Sequence, residues 1–223
     1  MFKLKLLHGI GINDADYAIN SSHYKDGKQI ITWRCPFYER WSGMLKRCYS
    51  KSFQEKHPTY RGTSVCQDWL TFSNFKKWME LQPWEDNCLD KDFLGDGKVY
   101  SPETCAFIPA YINTLFLDSG SSRGEYPIGV SFSKRNKKNP YQARIRLGDR
   151  KQVHLGFYNS PSSAHRAWQN KKVAYCKSVL SKYQKDPAYN ESVFNSLLEK
   201  ISIIISDMEK GKETNTSTDG NNV

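Results

Sequence analysis

Three short runs between Tyr126 and Phe157 alternate apolar and polar side chains with a period of two: Ile128, Val130, Phe132; then Tyr141, Ala143, Ile145, Leu147; then Val153, Leu155, Phe157. Successive side chains of a strand leave on opposite faces, so each run can bury one face and expose the other. A small antiparallel sheet with a single covered face satisfies all three runs at once. The turn-prone stretch Lys134 to Pro140 and the tight Gly148-Asp149-Arg150-Lys151 link the strands as hairpins. Ser160 then offers an N-cap with Pro161 at the first helical position. The helix it opens carries Ala164, Ala167, Trp168 and Tyr175 on one side, which can cover the apolar face of the sheet.

The opposite face of this predicted sheet presents Ser131, Ser133, Gln142, Arg144, Arg146, Gln152 and His154, and its loops add Lys134, Arg135, Lys137, Lys138, Arg150 and Lys151. Charge is concentrated in the same place. Of the formal net charge of +10, residues 121–182 contribute +12, from fourteen Lys/Arg against Glu125 and Asp149. Residues 1–120 contribute +1 and residues 183–223 contribute −3. A positive surface confined to one module selects a polyanion as partner, because each neutralised phosphate releases counterions and the field steers encounter. A ribbon of two or three strands fits the major groove, where arginine can fork onto guanine or phosphate and glutamine can pair with adenine.

Around this module the chain divides by composition. Ser119 to Gly124 is rich in Gly and Ser and reads as a connector, which places a first domain at residues 1–118, a linker at 119–125 and the basic module at 126–182. Val193, Phe194, Leu197, Leu198, Ile201, Ile204, Ile205 and Met208 recur at helical spacing and predict an amphipathic helix over 187–209. Its apolar stripe has two uses: docking on the protein itself, or pairing with a second copy as a homodimer. The polar segment 210–223 is predicted to be disordered. The fold class expected is α+β. No apolar run is long enough for a membrane span or a secretory segment, so a protein of the cytoplasm is expected, without a membrane partner or a small-molecule substrate. Six cysteines without a CxxC pair read as reduced thiols, with Cys48, Cys66 and Cys105 the set a scattered zinc site would draw on.

Gly129-Val130, the strand Tyr141 to Arg146, the strand Val153 to Tyr158 and the helix segment Ala164 to Trp168 together resemble the AP2/ERF DNA-binding domain over about sixty residues. The resemblance implies major-groove reading by a three-stranded sheet. Ser131, Ser133, Gln152 and His154 replace arginines and tryptophan that plant members use, so DNA binding is implied and the plant target sequence is not.

The first half is dense in aromatic residues: Trp41, Tyr49, Tyr60, Trp69, Phe72, Phe75, Trp78 and Trp84. Helical spacing at Trp69, Phe72, Phe75, Trp78 and Met79 makes them a packed core. Around them, Trp41 to Tyr49, Val65 to Trp69, Leu89-Asp90-Lys91-Asp92 and Tyr100-Ser101-Pro102-Glu103-Thr104-Cys105 resemble a bacteriophage family related to HNH endonucleases. That resemblance implies an HNH-like first domain, related to the ββα-metal fold, in the cytoplasm of an infected bacterial cell. It puts Asp90 and Asn113 on the ligands of a divalent cation, Mg or Mn, with Lys91 where the family has its general-base histidine and Thr104 where it has a structural asparagine. Lys91 is a poor base near neutrality and a better phosphate contact. Asp92, two residues beyond Asp90, would share its face in a strand and offers an alternative base or ligand.

The functional expectation is therefore binding of double-stranded DNA at chosen sequences, coupled to metal-dependent phosphodiester hydrolysis by an HNH-type homing or nicking endonuclease. The alternative is a non-catalytic regulator or architectural protein that keeps a degenerate nuclease fold. A third reading makes the chain an interaction protein that meets RNA or a host protein through its C-terminal helix.

Overall fold

A computed structural model describes residues 6–117, 125–148 and 151–215. The fold is mixed α+β, with small sheets and a C-terminal helix, and the chain divides into two compact units, Met1–Ile108 and Pro109–Val223. The division falls ahead of the Gly/Ser-rich stretch, whose residues 119–124 lie outside the described ones. Contacts explain the difference. Tyr111 donates its hydroxyl proton to Asp186 at 2.7 Å, the Lys172 ammonium donates to the carbonyl of Leu115, and both Ile112 and Leu115 are buried.

The first unit opens with a hairpin, β1 (Asn20–Lys25) and β2 (Lys28–Arg34), followed by α1 (Pro36–Tyr49) and α2 (Lys51–Lys56). Next come β3 (Ser64–Val65), α3 (Phe72–Met79), β4 (Asn87–Asp90), β5 (Val99–Tyr100) and β6 (Ala106–Pro109). β3 runs parallel to β5, and β4 pairs with β6. The aromatic residues form the core as expected. Trp41, Trp69, Phe72 and Phe75 are essentially buried, Trp69 meets Phe75 edge-on at 5.1 Å, and the Trp41 indole donates to the carbonyl of Trp69 at 2.7 Å. That last bond gives the one polar atom of a buried indole its partner.

The second unit begins with the short helix α4 (Ala110–Asn113) and continues with β7 (Val130–Phe132), β8 (Tyr141–Arg146) and β9 (Gln152–Tyr158), an antiparallel sheet in the order β7-β8-β9. The predicted helix follows as α5 (Pro161–Tyr183), capped by the Ser160 hydroxyl, which accepts from the Ser163 amide at 3.2 Å. Ala164 and Trp168 pack on the sheet against Val130, Ala143, Ile128 and Ile145. Gly129 has φ +80, and a β-carbon there would stand 2.1 Å from Cδ1 of Trp168, so only glycine lets the indole close on the strand. Tyr175 is half-buried; its hydroxyl accepts from the Gly148 amide at 2.8 Å and braces the β8–β9 turn.

Beyond the sheet, α5 continues along the last helix, α6 (Glu191–Glu209), whose cap is the Asn190 side chain. Val193, Leu197, Ile201 and Ile204 of the predicted stripe are buried within the unit. The segment after α6 departs from the disorder that its composition predicts. Thr214 is buried, its amide donates to Nε2 of His165 at 3.0 Å, and the Gln169 amide donates both to the Thr214 hydroxyl and to the Lys212 carbonyl. Polar side chains of α5 left unsatisfied under this segment would be costly, and pairing them is what orders it. Residues 216–223 lie outside the described ones.

Candidate nucleic-acid interface

The register of the sheet decides which side chains share its outer face. Val130 faces Ala143 and Ser131 faces Gln142 between β7 and β8. Between β8 and β9 the pairs are Gln142 with Phe157, Ala143 with Gly156, Arg144 with His154, and Arg146 with Gln152. Leu155 has no opposite number: it is the extra residue of a β-bulge. The bulge reverses the phase of β9, so Leu155 and Tyr158 pack inward while Phe157 turns outward. Phe157 was expected on the buried face; it is instead 38% exposed, with its ring 4.9 Å from that of His154. Gly156 accommodates the bulge with φ +128.

The outer face therefore carries Ser131, Gln142, Arg144, Arg146, Gln152 and His154 as predicted, with Phe157 added. All are exposed except the half-buried Gln142. Among the described residues neither Arg144 nor Arg146 has an ion-pair partner. Both guanidinium forks are open to a ligand. Side chains two apart on one strand lie about 7 Å apart, and three strands span roughly 10 Å between outer axes, within the about 12 Å width of a major groove.

Ser133 sits just past β7, half-buried, with its amide bonded to the Pro140 carbonyl at 2.7 Å. Within that loop Lys134, Arg135, Lys137 and Lys138 are exposed, and Asn136 braces it by accepting from the Asn139 amide at 3.0 Å. Lys151 is exposed at the other hairpin, and Arg150 lies outside the described residues.

The first unit places Asp90, Lys91 and Asp92 at the end of β4. Asp90 is 8% exposed, and its Oδ1 accepts from the amides of Asp92 and Phe93 at 2.8 and 3.1 Å. Burial, with Asp92 beside it, raises the Asp90 carboxyl to about 6. Lys91 is not poised as a base or a phosphate contact: it is 6% exposed, and its ammonium lies 2.6 Å from Oδ1 of Asp92 and above the rings of Tyr60 and Tyr100. Asp92 was expected to share a strand face with Asp90; β4 ends at Asp90, and the turn sends Asp92 to Lys91 instead. Thr104 does bracing work, donating to the Val99 carbonyl at 2.7 Å and accepting from the Ser101 amide at 3.1 Å. Asn113 belongs to the second unit, at the end of α4. Among the described residues no three or more His, Cys, Asp or Glu side chains cluster as a metal site. All six thiols are free, and burial pushes Cys105 up to about 12.

No protein-family model, curated protein or solved structure matches the chain. No helix among the described residues is long and apolar enough to cross a membrane.

Proposed function

We propose that this chain binds double-stranded DNA in a sequence-directed way by setting the outer face of β7, β8 and β9 into the major groove. One observation carries the reading: Gln142, Arg144, Arg146, Gln152 and His154 share a single exposed sheet face, in a segment of net charge +12. Arginine and glutamine supply the bidentate pairings that separate guanine and adenine from other bases, and the loop lysines supply phosphate contacts that fix position. Three strands and a covering helix, with Gly129-Val130, Tyr141 to Arg146, Val153 to Tyr158 and Ala164 to Trp168 in the places where the chain resembles an AP2/ERF domain, support that fold for residues 126–182.

For the first unit we propose a degenerate HNH-type fold retained without hydrolysis. β4 pairs with β6, as the two strands of a ββα-metal fold would. The donor set does not fit a divalent cation, however. One oxygen of Asp90 is taken by two amides, Asp92 is neutralised by Lys91, and a buried ammonium stands where a base is needed. The geometry thus favours a non-catalytic regulator or architectural protein over a homing or nicking enzyme. Supercoiled plasmid incubated with the protein in Mg or Mn should be retarded on a gel yet intact, with and without chelator. Nicks that require both the metal and Asp90 would overturn the non-catalytic reading. Absence of any retardation would overturn DNA binding itself.

A further inference from the structure

Every residue from Asn20 to Arg34 is exposed. β1 and β2 form a two-stranded ribbon that is tied to the core at its base, where the Cys35 amide donates to the Ile19 carbonyl at 2.8 Å, and that has no covered face of its own. Its tip is the tight turn Asp26-Gly27, with φ +52 and +71, the backbone that suits a two-residue hairpin. Strands of this length reach about 20 Å.

The side chains are not those of an idle hairpin. Lys25 and Lys28 stand directly opposite each other at the tip, a like-charge pair that weakens the ribbon unless an anion sits between them. Their face continues through His23 and Ile30 to Trp33, which is 47% exposed. The other face sets Tyr24, 75% exposed, beside Gln29, which donates to Ser22 at 2.8 Å. Arg34, at the base, is within 4.0 Å of Glu39. Asp26 is the only acid between Asn20 and Arg34.

We infer that this ribbon is a second DNA contact, an arm that lies along a groove with Lys25 and Lys28 on the phosphates and an apolar or aromatic side chain against the bases. Cations at the tip and an exposed apolar surface nearer the core are what groove-binding arms combine, since the phosphates hold the arm while apolar side chains unstack or cover base steps. The inference rests on the reading that the chain binds double-stranded DNA. It extends that reading from one grip to two, so the full chain should cover more of the duplex than the sheet alone spans.

The test is fluorescence anisotropy of the full chain on a 30-base-pair duplex over a range of salt, comparing wild type, Lys25→Ala/Lys28→Ala, Trp33→Ser and Arg144→Ala/Arg146→Ala. These positions are exposed, so the fold should tolerate the changes. Loss of both arm lysines should weaken binding about tenfold and lower the salt slope by about 2. Trp33→Ser should weaken binding with the slope unchanged. If both arm variants bind as wild type while the arginine variant loses affinity, the arm proposal fails and the sheet reading stands. If the arginine variant alone binds as wild type, the sheet reading fails and the arm remains. Arm variants that bind DNA normally but lose self-association in sedimentation would make the ribbon a contact between copies and overturn the proposal.

Discussion

Arg144 and His154 stand opposite each other on β8 and β9, one step past the bulge at Leu155. That relationship puts an arginine fork and an imidazole side by side on the outer face, with Phe157 against the imidazole. Arg144→Ala and Arg146→Ala should each cost about 1–3 kcal/mol of binding and relax preference at one base position. Lys137→Ala and Lys138→Ala should weaken binding about equally on every sequence, each lowering the salt slope by about 1. Binding titrations on selected and scrambled duplexes separate the two outcomes.

The bulge also makes a prediction about Gly156. At φ +128 an alanine is strained, and its β-carbon would stand 3.3 Å from the Tyr158 hydroxyl. Gly156→Ala should lower the melting temperature of the protein and, by disturbing the phase of β9, weaken DNA binding through His154. A variant that melts and binds as wild type would show that the bulge does not set the outer face.

Trp168 and Gly129 give the sheet its cover. Alanine at Gly129 meets both a left-handed backbone and the indole, so Gly129→Ala should destabilise the second unit by about 2–4 kcal/mol. Loss of the unit's cooperative melting step at a lower denaturant concentration checks this. Trp168→Leu should partly relieve the clash in a double variant, since the two positions share one contact.

The Asp90 carboxyl makes stability depend on pH in a direction that can be worked out. Its folded value, about 6, lies above the ordinary 3.8, so the folded state holds the proton more tightly than the unfolded chain does. Stability from this group is therefore greatest in acid and is lost as pH rises from about 4 through about 6. The full cost at neutral pH is on the order of 3 kcal/mol. Asp90→Asn keeps an oxygen for the two amides and removes the charge. It should stabilise the protein at pH 7.5 and leave it unchanged at pH 4, in thermal melts at the two values. Equal effects at both would show that burial of the charge is not the cause.

Much of the second unit was legible because its elements are half-covered. Period-two runs and the Ser160-Pro161 cap come through in a sequence whenever one face is buried and the other is not. The bulge did not come through. One unpaired residue at Leu155 leaves the hydrophobic pattern intact on paper while sending Phe157 to the other side. The arm was missed for the opposite reason: with no covered face, β1 and β2 carry no apolar period to read, and only Asp26-Gly27 between strand-prone residues signals a hairpin. The unit boundary follows contacts made by Tyr111 and Lys172, and composition records flexibility rather than contacts. In the first unit the types Asp90, Lys91 and Asp92 were visible, but whether they face a ligand or each other depends on where β4 stops.

Guanine N7 lies in the major groove, and its methylation by dimethyl sulfate reports directly on what occupies that groove. On a duplex selected from a random pool by the full chain, guanines at the bound site should be protected at saturation, and Arg144→Ala/Arg146→Ala should restore their reactivity. A saturated complex in which every N7 stays fully reactive would contradict the major-groove account.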